Sequence, residues 1–141
     1  MSQTATTPAD IAALADSITA CARELHARIM RDIRREALGH EEAQALFDQE
    51  VALRLQANKL YVDAAVLAAG SLALPRQQLL ELTEKAREAI RRIERSKLVV
   101  DIAGNLLRLA AAVAAARPED LAPAAEELKA NLSALKDNRQ A

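Results

Sequence analysis

The sequence predicts an all-α fold, and three observations carry that prediction. Alanine supplies about a quarter of the chain, and together with Leu, Arg, Glu, Gln and Lys it makes strong helix formers the dominant residue types. Breakers are sparse, with three glycines and four prolines in 141 residues. Phe47 and Tyr61 are the only aromatics, and no stretch alternates β-branched or aromatic residues with polar ones, so strands have no foothold. The expected architecture is an antiparallel helical bundle of three long helices plus a short C-terminal helix, four-helix-bundle-like. The length suits one domain with a sizeable core, expected over residues 8–137 with flexible ends at 1–7 and 138–141.

The first helix opens with "TTPAD". Thr7 can cap it, Pro8 suits the first helical position because no N–H is lost there, and Asp10 stands where a capping-box acid belongs. Ile11, Leu14, Ile18, Ala22, Leu25, Ile29 and Ile33 then recur at steps of three and four, which is one face of a helix. Gly39 offers a C-terminal cap, giving a helix over 8–38 that is roughly 45 Å long.

The second helix follows almost at once, with Glu41 and Glu42 favoured at its positive N-terminal end. Leu46, Leu53, Leu60, Ala64 and Leu67 form one apolar line. Phe47, Val51, Leu55 and Val62 form a second beside it, and Gly70 ends the element. Two helices of similar length joined by a short turn make an antiparallel hairpin.

"SLALP" turns the chain, and Pro75 opens a third helix that meets no strong breaker before Pro118. Gly104 bends it at most, since a lone helical glycine costs about 1 kcal/mol. A continuous helix of that length overhangs the first two by roughly 20 Å. The overhang "NLLRLAAAVAAA" is apolar and needs cover. After the turn "RPEDLAP", the stripe Leu121, Ala125, Leu128, Leu132 and Leu135 makes the fourth helix fit for that role.

One short word occurs twice. "KLYVDAA" begins at Lys59 and "KLVVDIA" at Lys97, and the match extends to "RLQANKLYVDAA" against "RIERSKLVVDIA". Each word holds a lysine followed four residues later by an acid: Lys59 with Asp63, and Lys97 with Asp101. On a helix such pairs are neighbours worth a few tenths of a kcal/mol, about 0.2–0.5. One reading makes the two aspartates facing carboxylates that share a proton or a cation. The turn at 71–74 would hold them roughly 25 Å apart along the axis. The reading adopted is therefore structural, with each word the thin polar edge of an otherwise apolar helix.

Catalytic and metal chemistry find little support. His26 and His40 are the only histidines, and a bundle di-metal site needs Glu-x-x-His on two helices. Glu36 and His40 are four apart, enough for a weak single-metal pair at best, and one cysteine cannot complete a structural zinc site. Cys21 falls on an apolar face, no serine sits on a glycine-flanked elbow, and no glycine-rich loop cradles phosphates. No enzyme activity, cofactor, metal or small-molecule substrate is expected. The formal charge of −1 gives no bulk pull towards nucleic acid or anionic lipid. Two arginine clusters, "ARIMRDIRRE" and "KAREAIRRIERSK", are interleaved with acids as on a solvated, ion-paired face.

The remaining signal is surplus apolar surface. "LYVDAAVLAAGSLAL" and "LVVDIAGNLLRLAAAVAAA" are apolar nearly all round, yet one is short and the other carries Asp101, Asn105 and Arg108, costly inside a bilayer. A helix apolar all round is a buried one. The expected function is a non-enzymatic interaction, scaffold or adaptor module that works through helix–helix contacts, with itself or another helical protein as partner. Leu106, Leu109, Val113, Leu128 and Leu132 are the candidate interface residues, core if the fourth helix folds back and interface if it is displaced. A membrane-associated or membrane-active helical protein is the alternative. A nucleic-acid-binding subunit and a partner-specific immunity protein rank below it. The N-terminus lacks the basic start and apolar core of a signal peptide, so a cytoplasmic location is expected, with peripheral membrane association as the variant of that reading.

Overall fold

The computed structural model describes residues 5–70 and 73–140, with side chains through Lys136. Residues 1–4 and 141 of the expected flexible ends, and Ser71 and Leu72 of the expected second turn, lie outside the described residues. The described chain is all-helical. Its six helices are α1 (Pro8–Arg34), α2 (His40–Val62), α3 (Ala64–Ala69), α4 (Arg76–Arg92), α5 (Ser96–Ala114) and α6 (Pro118–Gln140).

α1 starts as the sequence requires. Thr7 Oγ1 accepts the Asp10 N–H at 3.1 Å, and Asp10 Oδ2 accepts the Thr7 N–H at 2.9 Å. It ends differently. Gly39 is the N-cap of α2, not the C-cap of α1. Glu36, in the left-handed region at φ 55°, closes α1 instead, with the Ala37 N–H on Asp32 O and the Glu36 N–H on Ile33 O. That is the Schellman pattern of helix endings. The same pattern ends α5, where Ala116 has φ 55° and the Arg117 and Ala116 N–H groups reach Ala112 O and Val113 O. A side chain strains this conformation and glycine does not. Ala116→Gly is therefore expected to raise stability by about 1 kcal/mol, read as a higher urea midpoint with an unchanged slope.

The expected second helix is interrupted at Asp63, which caps the end of α2 at φ −95°, ψ 8°. Aspartate is a weak interior helix former because its side chain competes for backbone groups. The chain resumes as α3, packed against α1.

The larger correction concerns the third helix. It is not continuous through Gly104 to Arg117. It breaks at Ile93–Arg95, where Ile93 (φ −61°, ψ 131°) and Arg95 (φ −82°, ψ 119°) are extended. Gly104 lies inside unbroken α5. Three residues thus convert one long rod into a hairpin. The directions follow from cross-helix bonds. α4 runs parallel to α1, since Asp10 meets Arg76, Ser17 meets Thr83, Glu24 meets Arg87 and Arg28 meets Ile90. α2 runs antiparallel to α1, with His26 on Glu50 and Tyr61 on Asp16. α5 runs parallel to α2, with Ser96 on Glu42 and Gln49 donating to Val100 O. α6 returns antiparallel to α5 and also packs on α4; at 23 residues it is as long as α2 and longer than α4 or α5, not the short helix expected. The overhang that a continuous third helix would create does not exist.

The core lies among α1, α2, α4 and α5, where Ile11, Ile18, Leu25, Leu53, Ile90 and Leu106 are fully buried. The Arg28–Asp32 pair sits at the α4–α5 turn. Arg28 is buried, donates from Nε to Asp32 Oδ2 at 2.6 Å, and reaches Ile90 O and Glu94 O at 2.8 and 3.0 Å. The carbonyls freed where α4 stops are thus met by a guanidinium from α1.

Candidate interaction surface

The surface with the clearest chemistry lies on the outward side of α2 and α3. α2 turns Leu46, Glu50, Leu53, Ala57 and Leu60 inward. At 3.6 residues per turn the opposite side carries Val51, Leu55, Asn58 and Val62, and beyond the interruption Val66. Val51, Leu55, Val62 and Val66 are 56%, 63%, 83% and 74% exposed, the barest large apolar side chains in the described chain. This stripe contains most of the second apolar line read from sequence. Phe47, the other member of that line, is half-buried against His26, at 6.2 Å between ring centroids.

Ion pairs rim the stripe. Glu50 bridges His26 and Arg54 at 2.9 and 3.0 Å on one edge, and Lys59 lies 3.7 Å from Asp63 on the other. Tyr61 donates to Asp16, and burial followed by that carboxylate raises its pKa. An apolar centre with a polar rim is the anatomy of a protein–protein contact.

The repeated words occupy unlike places. In the first, Leu60 is buried while Tyr61 and Val62 are exposed at the end of α2. In the second, Val99, Ile102 and Ala103 are buried in the first half of α5. The shared spelling therefore has no shared burial pattern. Asp101 and Lys97 are both exposed, and Asp63 stands about 20 Å further along the parallel α2 axis than the level of Asp101. Asp63→Asn and Asp101→Asn are expected to change stability by less than about 1 kcal/mol each, measured by urea titration.

Leu106, Leu109, Val113 and Leu128 are fully buried where α5 meets α6, and Leu132 packs half-buried beside them. α6 folds back over them, so in the single chain they form core.

Other groups hold the helices in register. Cys21 is buried and its thiol donates to Thr83 O at 3.3 Å. Burial pushes the Cys21 thiol from 9.0 up to about 12. A raised folded-state pKa stabilises the fold below the unfolded value and is lost as pH climbs through the folded one. The urea midpoint of wild type relative to Cys21→Ala is accordingly expected to fall between about pH 9 and about pH 12. On α4, Arg87 with Glu84 and Arg91 with Glu88 form the ion-paired row expected from sequence, and the Arg87 guanidinium holds Glu84 below the usual carboxylate range. Among the described residues no three His, Cys, Asp or Glu side chains converge as metal ligands, and no helix is long and apolar enough to cross a membrane.

No family model, no curated protein and no solved structure matches the chain.

Proposed function

We propose that the protein is a non-enzymatic helical bundle that serves as an interaction or scaffold module and self-associates through the outward face of α2 and α3. The observation that supports this reading is the bare stripe Val51, Leu55, Val62 and Val66. Contiguous exposed apolar surface is costly to leave in water and marks contact sites. The spacing of the stripe is four, seven, four, which reads the same in both directions. A second copy laid antiparallel would set Val51 opposite Val66 and Leu55 opposite Val62, an isologous contact. Asn58 would fall near the two-fold axis, where a lone polar residue fixes register. Lys59, beside it, is neutralised within its own chain by Asp63.

The test is absolute mass by size-exclusion light scattering across a dilution series. Wild type is expected to run as a dimer that dissociates on dilution. Leu55→Glu combined with Val62→Glu, both exposed positions, is expected to give a monomer of unchanged helicity. A wild-type monomer at every concentration overturns the proposal. Co-sedimentation of wild type with anionic vesicles, lost in the same variant, replaces it with membrane association.

A further inference from the structure

We infer that the cleft between α4 and α6 holds a single-chain anionic amphiphile, its alkyl tail lying in an apolar groove and its phosphate-type head among the arginines at the end of α4. This site is independent of the α2–α3 face. Two cavities adjoin here. The first is a groove of about 720 Å³ whose apolar walls are Leu82 and Ala89 of α4, Ile93 just beyond its end, and Leu132 and Leu135 of α6. That volume lies within the roughly 300–1,000 Å³ of small-molecule sites. Its α4 side, Leu82 to Ile93, is about 16 Å long, the reach of an extended alkyl chain of about twelve carbons.

The second cavity, of about 400 Å³, shares Arg92 and Ile93 with the first. Arg28, Arg31, Arg35, Arg91 and Arg92 line it, and its only acids are Asp32 and Glu94. The parallel run of α1 and α4 produces this convergence, bringing the ends of both arginine clusters to one end of the molecule. Arg28 is committed to Asp32 and two carbonyls. Arg35 makes no ion pair among the described residues, and the exposed Arg92 holds Glu88 loosely at 3.5 Å. Both can turn to an incoming anion, and the guanidinium fork matches phosphate oxygens.

The shape selects the ligand class. A free anion would leave the larger, apolar cavity unused. A neutral amphiphile would leave Arg35 without a counter-ion and Arg92 with only its long contact to Glu88. Lys85, Lys129 and Lys136 edge the groove without ion pairs among the described residues, while its two acids, Glu84 and Glu88, are paired with Arg87 and with Arg91 and Arg92, so the unpaired charge at the groove is positive.

Isothermal titration with dodecyl phosphate below its micelle concentration tests this. Saturable one-to-one binding is expected. Arg35→Gln with Arg92→Gln, both at exposed positions, should weaken it about ten-fold or more. Leu135→Glu should weaken it by blocking and charging the groove, with helicity followed by circular dichroism in each variant. Inorganic phosphate and dodecyl maltoside should each bind at least about ten-fold more weakly. Equal binding of dodecyltrimethylammonium would overturn the inference, because charge would then be irrelevant. Equal binding of inorganic phosphate would overturn it by making the groove irrelevant. So would absence of saturable binding, or affinity unchanged in the arginine variant.

Discussion

Arg28→Ala is expected to remove about 3–5 kcal/mol of stability, the cost of breaking a buried ion pair by deleting one partner. The guanidinium is the hub of the α4–α5 turn. It holds Asp32 on its own helix, and Ile90 O and Glu94 O across the interface. Its loss leaves Asp32, only 10% exposed, with the longer 3.6 Å pair to Arg31 alone, and two backbone carbonyls without this donor. Lysine cannot replace it, because a point charge has no fork to span two carbonyls and a carboxylate. Urea unfolding monitored by circular dichroism measures the loss. The double variant Arg28→Ala with Asp32→Ala is expected to lose less than the sum of the single losses, since the two residues share one hydrogen-bonded pair and Asp32 then keeps only the longer contact to Arg31. Hydrogen exchange adds a spatial check: in Arg28→Ala the α4–α5 junction should lose protection before the α1–α2 hairpin does. A loss below about 1 kcal/mol would mean that the turn is held by other contacts.

Leu128→Ala is expected to cost about 2–5 kcal/mol, the range for truncating a fully buried leucine. Leu128 is the deepest residue of α6 and packs where α5 presents Leu106, Leu109 and Val113. Polar bonds near it set the register of the two helices. Asn105 is buried on α5, donates to Glu127 at 3.3 Å and accepts from Asn131, while Arg108 also pairs with Glu127. Leu132→Ala, at a half-buried position, should cost clearly less. Chemical denaturation of the two variants gives the comparison. Equal, small losses would indicate that α6 is only loosely docked and that the buried face of α5 is available to another chain.

Local chemistry was legible in the sequence. The capping box at Thr7 and Asp10, the inward stripe of α1 as far as Ile29 (Ile33, its expected last member, is 40% exposed) and the paired charges of α4 all depend on residues within about four positions, the reach of a single helical turn. The second apolar line of α2 was legible too, as a pattern. Whether it was core or surface was not, because that depends on how many neighbours a helix acquires. α1 and α5 cover α2 on its inner sides and leave Val51, Leu55 and Val62 bare. Leu106 and Leu128 looked equally apolar and became core because α6 folds back. The arginine clusters read separately as solvated faces. Only their convergence makes a cavity.

What the sequence determined by itself is helicity, the first cap and the apolar content, all consequences of propensity and short-range spacing. The path of the chain was decided by tertiary structure. Ile93, Glu94 and Arg95 carry no glycine or proline, and nothing local stops a helix there. α4 stops because turning back lets α5 bury Val99, Ile102 and Leu106 against the rest of the core, while Arg28, more than sixty residues away, binds the carbonyls at the break. Burial of an entire helix face outweighs the few backbone bonds given up at a three-residue turn.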